Sequence, residues 1–101
     1  MAIESPPVLE PTTDEQTEVA PLWNVILHDD DLTPMDFVVW LLVSLFSHPF
    51  DHAVVVMLEV HETGAAVVYA CSQERAELYV EQIHSLARAR GFPLASSCES
   101  Q

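Results

Sequence analysis

The chain has 101 residues, the size of a single domain, and half of them are hydrophobic. Sixteen acidic residues against three arginines and no lysine give a formal net charge of −13. This balance excludes nucleic-acid binding, which needs a basic surface, and it disfavours docking on anionic lipid. A strongly acidic surface instead favours cationic partners such as a basic protein, a metal ion or a ligand amine.

The first 20 residues differ in composition from the rest of the chain. They hold three prolines and five acids, with no aromatic and no basic residue. Such a segment cannot bury enough apolar surface to offset the entropy lost on ordering, so we predict a disordered acidic tail over 1–20. Residues 21–101 then form the folded domain, whose eleven acids and three arginines give a net charge of −8.

The folded domain is predicted to begin with a strand over Leu22–Leu27, an apolar run rich in β-forming residues. A polar loop follows. Thr33 as N-cap and Pro34 in the first helical position then start a helix. This helix is expected to stop before Pro49 and is apolar on almost every side, so it is either deeply buried or presents an apolar face to a partner.

Residues 50–63 are ambiguous by propensity alone. The run Val54–Val56 favours a strand. The apolar residues of the segment nevertheless recur at helical spacing, and Asp51 and Gly64 are typical cap residues. We therefore predict a helix, whose inward positions are Ala53, Val56, Met57 and Val60.

A strand over Ala65–Cys71 is predicted next, followed by a helix over Gln73–Arg90 that Ser72 caps and Gly91 ends. A last short strand lies within Phe92–Cys98. The predicted order is βααβαβ, with helices covering one face of a small sheet.

Several function classes lack their sequence signals. Cys71 and Cys98 are too few for a disulfide scaffold and form no CxxC pair, which predicts free thiols in a reducing, intracellular protein. We find no signal peptide, and the longest apolar stretch, Phe37–Phe46, is half the length of a membrane span. The motifs G-x-S-x-G and H-E-x-x-H and a phosphate loop are absent, so an enzyme is the weaker hypothesis.

The densest polar cluster is the loop His28–Asp31, which directly precedes the Thr-Pro helix start. Three consecutive carboxylates repel one another, which indicates a cation nearby. Mg²⁺ or Ca²⁺ is one candidate, although the acids do not alternate as in a calcium loop. The other simple interpretation is a solvated acidic turn.

The stretch Val25–Val38 closely resembles the signature of the ClpS adaptors, whose loop typically reads Asn-Asp-Asp-Tyr-Thr-Pro-Met-Glu-Phe-Val. Three further matches keep the family spacing, and together the resemblance covers about residues 21–99. These matches are Met57–His61 with Gly64, Ala87-Arg88 before Gly91, and Pro93-Leu94.

The resemblance implies a small three-stranded antiparallel sheet packed against three helices. It also implies an adaptor that performs no covalent chemistry and needs no cofactor or metal. Such adaptors bind proteins that begin with Phe, Tyr, Trp or Leu and hand them to a Clp AAA+ unfoldase of the ClpA or ClpC type. The expected location is the bacterial cytoplasm in preference to the plastid stroma.

The resemblance also implies the site residues. Asp29, Asp30, Asp31 and a neutral His61 are expected to surround the ammonium of the bound N-terminus. Protonation of that imidazole in mildly acid solution is expected to weaken binding. Met35 matches the family's gatekeeper, which rejects β-branched first residues. The full set matched to the side-chain pocket is Leu27, Thr33, Met35, Val38, Met57, Val60 and Leu94.

Some positions depart from the family pattern. Asp29 replaces the loop Asn and Leu32 the usual Tyr, and Tyr79 stands where a Lys is usual, close to Glu74 and Glu77, which match acids on the unfoldase-facing side. One alternative is therefore a divergent or engineered binder of N-terminal residues that does not deliver substrates. An alternative from another class is a metal-binding regulatory domain that uses the acidic loop and His61.

Overall fold

Six secondary-structure elements follow one another in the computed structural model, which describes residues 21–101. They are β1 (Trp23–His28), α1 (Met35–Phe46), α2 (Phe50–Thr63), β2 (Ala65–Cys71), α3 (Gln73–Ala89) and β3 (Ala95–Ser100). This order confirms the predicted βααβαβ arrangement, with a helix over the ambiguous residues 50–63.

The sheet has the strand order β2-β1-β3, and both pairings are antiparallel. His28, the last residue of β1, stands opposite Ala65 in one neighbour and Ala95 in the other. Alternate residues of a strand point to opposite faces, and on the inward face of β1 both Val25 and Leu27 are 0% exposed. Because β1 is the central strand, the polar loop that follows it leaves the sheet between the starts of β2 and β3.

The three helices of the described residues pack on this inward face and close the core. The largest fully buried side chains come from the sheet, α1 and α3: Val25, Leu27, Leu41, Leu42 and Ile83. Removing such side chains from water is the main favourable term for a domain of this size. Because α1 and α2 are joined only by residues 47–49, they lie side by side with opposite directions.

Two of the three predicted N-caps, Thr33 and Asp51, are wrong. Pro34 and Pro49 are the N-cap residues of α1 and α2, and neither helix start has a side-chain cap hydrogen bond. The Thr33 hydroxyl is used within the preceding loop instead, and the Asp51 carboxylate accepts from the backbone N–H of His52. The Ser72 cap of α3 is confirmed, because its Oγ accepts from the Arg75 N–H at 3.3 Å.

Two strand boundaries also differ from the prediction. The first strand begins at Trp23, one residue later than expected, and the last occupies Ala95–Ser100 instead of lying within Phe92–Cys98. The reason for the second shift is the end of α3. The Phe92 N–H bonds back to the Ala87 carbonyl at 2.9 Å, so the chain is still tied to the helix there.

The predicted tail over 1–20 lies outside the described residues. Within 21–101, no helix combines the length and apolar character that a membrane crossing requires.

Candidate functional site

A cavity of about 160 Å³ opens where the loop after β1 meets the start of α1 and the end of α2. Residues from five parts of the chain line it: His28, Asp29, Asp30, Asp31, Thr33, Met35, Val38, Met57, Val60, His61 and Leu94. These residues are distant in sequence, and the opposite directions of α1 and α2 bring them together.

The floor and walls of this cavity are apolar. Val38, Val60 and Leu94 are 7%, 3% and 5% exposed, and Met57 is also buried. Met35 differs, since it begins α1 at the rim and 44% of its surface is exposed. A flexible thioether in that position can adapt to the shape of whatever enters.

The rim is shaped by Asp30. Its Oδ1 accepts from the backbone N–H groups of Leu32 and Thr33, and its Oδ2 accepts from the Thr33 hydroxyl, each at 2.7 Å. One carboxylate thus folds residues 30–33 into a turn immediately before α1. Asp30 borders the cavity, but these three internal bonds occupy much of its accepting capacity.

The hydrogen bonds also change the acidity of this side chain. Partial burial acts to raise the pKa of the Asp30 carboxyl, but the bonds from Thr33 and Leu32 stabilise the charged form and outweigh it. The net result is a pKa below its ordinary value, so Asp30 is ionised at neutral pH.

Asp29 and His61 face each other across the rim. The His61 Nδ1 lies 3.5 Å from the Asp29 Oδ1, and their side chains are 51% and 29% exposed. The Asp29 backbone N–H donates to the Gly64 carbonyl at 2.9 Å, which ties the loop to the end of α2. A cation placed over this pair could lie within hydrogen-bond distance of both side chains.

The predicted site residues do not all reach the cavity. Leu27 is an error of placement, because it points into the core and is 0% exposed. The sequence reasoning missed His28, which lines the cavity and whose Nε2 lies 2.8 Å from the Ser97 Oγ. Its position at the end of the strand that leads into the acidic loop was the available signal. All other predicted pocket and rim residues line the same cavity.

The predicted docking residues lie away from this cavity. Glu74 and Glu77 are exposed on α3, where they border a shallow groove with Arg75, Leu78 and Glu81. Tyr79 is turned toward the body of the domain, with its ring centroid 4.7 Å from that of Phe46 and its hydroxyl accepting from Arg75 at 3.1 Å.

Both cysteines are free thiols, as predicted. Burial raises the pKa of Cys71, although the nearby Arg75 acts in the opposite direction. Burial also raises the pKa of Cys98, with a further contribution from Glu77. Raised pKa values keep both thiols protonated near neutral pH, which makes them weak nucleophiles.

The arrangement favours a particular kind of ligand. An anionic rim around the mouth of an apolar cavity suits a small organic cation that carries an apolar group. Within residues 21–101, no group of three or more His, Cys, Asp or Glu side chains is arranged to hold a metal ion.

Comparison with known proteins gives a consistent result. A family model described as "ATP-dependent Clp protease adaptor protein ClpS" matches residues 18–97 of the chain. The adapter protein ClpS of Desulforapulum autotrophicum is 34% identical over 104 residues, the whole of both chains. That of Desulfatibacillum aliphaticivorans is 41% identical over 92 residues, or 91% of this chain and 86% of the relative.

Among solved structures, the chain is similar to Agrobacterium tumefaciens ClpS2 bound to L-phenylalaninamide. The two share 34% sequence identity and superimpose with a TM-score of 0.78. The match covers 81% of this chain and 99% of the other, so the same fold extends over nearly all of that protein.

Proposed function

This chain belongs to the ClpS family of Clp protease adaptors, and we propose that it binds proteins whose first residue is Phe, Tyr, Trp or Leu. We further propose that it passes them to a Clp unfoldase of the ClpA or ClpC type in the bacterial cytoplasm. Its role is binding and transfer, without catalysis. The observation that carries the proposal is the apolar cavity with Asp29, Asp31 and His61 on its rim.

The rim supports recognition of a free N-terminus. An ammonium carries three N–H donors, and charge-assisted bonds to carboxylates are among the strongest hydrogen bonds in proteins. Asp29 and Asp31 supply negative charge at the rim, and a ring nitrogen of His61 is placed beside Asp29, where it can accept a hydrogen bond. No Lys or Arg lines the cavity to compete with the ligand's charge.

The cavity supports recognition of the first side chain. A closed apolar cavity of about 150 Å³ is known to hold one benzene molecule, and the cavity here has about 160 Å³. Burying a Phe or Leu side chain contributes about 1.5–3 kcal/mol. This volume is enough for a single ring or a branched aliphatic chain, as in Phe or Leu.

The related structure supports the same ligand chemistry. L-phenylalaninamide, the ligand of the similar Agrobacterium protein, combines a benzyl side chain with a free amine. An acetylated amine has lost its charge and two of its donors, which leaves the rim acceptors without partners. The contacts between the ammonium and the rim therefore supply most of the discrimination between free and acetylated N-termini.

Titration calorimetry with a Phe-initiated hexapeptide, its N-acetylated form, and Mg²⁺ or Ca²⁺ tests the proposal. We expect binding of the free peptide alone. Equal binding of the acetylated peptide would refute N-terminal recognition. Binding of metal without peptide would instead support the regulatory metal-binding alternative.

A matched pair of variants tests the rim. Asp29→Ala is expected to weaken binding of the free peptide about tenfold, since it removes a partner of the ammonium. Glu99→Ala removes the same charge from an exposed position on β3 and is expected to change the affinity less than twofold. Equal losses of affinity in the two variants would show that Asp29 acts only through the overall negative charge of the protein and not through contact with the ammonium.

The second part of the proposal is delivery of the bound protein to the unfoldase. The exposed acids Glu74 and Glu77 of α3 are the residues we assign to docking. Tyr79 packs inward at the position where the family resemblance expects a Lys, which favours the alternative of a binder that does not deliver, and the basic group beside it is Arg75. A pull-down with a ClpA or ClpC unfoldase separates the two, and Glu74→Lys with Glu77→Lys is expected to abolish any capture.

A further inference from the structure

A second apolar groove lies on α1 beside the candidate site. Val39, Trp40 and Val43 line it together with Phe50 from the start of α2 and one acid, Asp36, and its volume is about 340 Å³. Trp40 is 43% exposed, Val43 37% and Phe50 69%. Large apolar side chains grouped on a surface indicate a binding face. Neither the pocket nor the fold accounts for their exposure.

The groove lies next to the pocket along α1, since Met35 and Val38 line the pocket and the residues that follow them, Asp36 and Val39, line the groove. Met35, at the pocket mouth, is followed at four-residue spacing by Val39 and Val43, and residues so spaced form one ridge along a helix. Helix α2 runs antiparallel to α1 beside the same two cavities. His61 near its end borders the pocket, and Phe50 at its start borders the groove. A chain leaving the pocket over Met35 therefore meets the groove next.

The charges around the groove disfavour a second copy of this protein as its occupant. Asp36 lines the groove and Asp51 adjoins Phe50, while Lys is absent from the sequence. Arg90 is the nearby cation, and its guanidinium already stacks on Phe37 and Trp40 at 5.6 and 5.5 Å from their ring centroids. Two copies facing each other would place like charges together in a chain of net charge −13.

We propose that this groove receives an apolar side chain from the substrate itself, a few residues behind its N-terminus. The inference rests on the proposed function. The midpoint between Val39 and Val43 lies six residues from Met35, or about 9 Å along the helix. An extended peptide advances about 3.3 Å per residue, so the side chain that reaches the groove belongs to about the fourth residue. Asp36 favours a neutral or basic neighbour for it.

The test uses the full chain and a set of hexapeptides that begin with Phe. One has Ser at position four in an otherwise Gly-rich sequence ending in Lys, and the others carry Leu at position three, four or five. We expect only one of the three Leu peptides to bind five- to tenfold more tightly than the Ser peptide, because only one of these positions brings its side chain to the groove. Fluorescence of Trp40 is expected to change only with that peptide.

Paired variants assign the gain to the groove. Val43→Ser with Phe50→Ser is expected to remove the advantage of the Leu peptide and to leave the affinity for the Ser peptide within twofold. Leu78→Ser, which removes an apolar side chain 53% exposed on α3, serves as the control and is expected to preserve the advantage.

The failures of the two proposals are distinguishable. If the Ser peptide does not bind, recognition of the N-terminus itself fails. If it binds and Leu adds nothing at positions three to five, only the groove inference is overturned. Sedimentation of the unliganded protein covers the remaining occupant, because self-association removed by Val43→Ser with Phe50→Ser would assign the face to a second copy and overturn the inference.

Discussion

Asp29, Asp30 and Asp31 carry the same functional group, but their neighbours give them different tasks. Asp30 turns its carboxylate back on the loop and bonds Leu32 and Thr33. Asp29 faces His61 at the mouth of the pocket. From the sequence, all three were equivalent ligands of an ammonium. The difference arises because a carboxylate two or three residues before free backbone N–H groups bonds to them first.

Asp30→Asn is expected to lower the free energy of unfolding by about 1 kcal/mol at pH 7, because the amide replaces charge-assisted bonds. The folded-state pKa of Asp30 is below its ordinary 3.8, so its stabilising contribution is present above that pH. The contribution is lost as the pH falls from 3.8 toward the folded-state value. Urea denaturation at pH 7 and pH 3 measures the difference between variant and parent.

Asp31→Asn is the control for that experiment. Asp31 is exposed and makes no side-chain hydrogen bond to the described residues 21–101, so we expect almost no change in stability at either pH. A difference for Asp30→Asn that is as large at pH 3 as at pH 7 would contradict the assigned cause.

Met35→Ala is expected to widen the choice of first residue. By the family resemblance, the Met35 side chain at the mouth crowds a branched Cβ, and its truncation removes that obstacle. Peptides that begin with Ile or Val are expected to bind at least tenfold more tightly than to the parent, as measured by calorimetry. Leu32→Ala is the control, because Leu32 lies in the adjoining loop and is 74% exposed, and it is expected to leave the choice of first residue unchanged. If Met35→Ala also leaves that choice unchanged, Met35 is not the gatekeeper.

At the scale of elements, helix ends position the site. Gly64 closes α2 with φ of 94°, its N–H bonds the Val60 carbonyl, and its own carbonyl accepts from Asp29. A left-handed residue at a helix end is easiest for glycine, which is why the sequence located this boundary correctly. One glycine therefore joins the end of α2 to the anionic rim.

Gly64→Ala is expected to cost about 1 kcal/mol of stability, because alanine resists a positive φ while an added Cβ would meet no atom within 4 Å. It is also expected to weaken Phe-peptide binding severalfold through the Asp29 bond. Gly91→Ala has the same kind of strain, with φ of 79°, at the end of α3. It is expected to cost similar stability without changing affinity, and equal losses of affinity would contradict the coupling.

Element types were more predictable than their ends. The helix over residues 50–63 was identified despite the Val54–Val56 run because apolar spacing over four turns outweighs local propensity. The last strand was displaced because α3 holds Phe92 through the Ala87 carbonyl. A bond of this kind depends on how the chain turns back, which composition does not report.

At the scale of the whole molecule, the predicted tail over residues 1–20 is more densely acidic than the rest of the chain. Deleting residues 1–20 removes five of the sixteen acids and leaves a net charge of −8 on the rest. Because the pocket is built from residues 28–94, the deletion is expected to change the affinity for a Phe peptide less than twofold. Fluorescence anisotropy at low and high salt measures this, and a tenfold loss would assign a binding role to the tail.

The sequence by itself determined the family and the order of elements, and it predicted which function classes are excluded. Those conclusions depend on local motifs, residue periodicity and summed charge, which are properties of the sequence that do not require knowledge of tertiary contacts. The tertiary structure decided which side chains meet. It buried Leu27, added His28 to the cavity and turned Asp30 inward, because these outcomes depend on strand facing and loop hydrogen bonds. Of the three loop acids, Asp29 and Asp31 are not held by hydrogen bonds within the loop, and both border the apolar cavity that the packing of α1 against α2 creates.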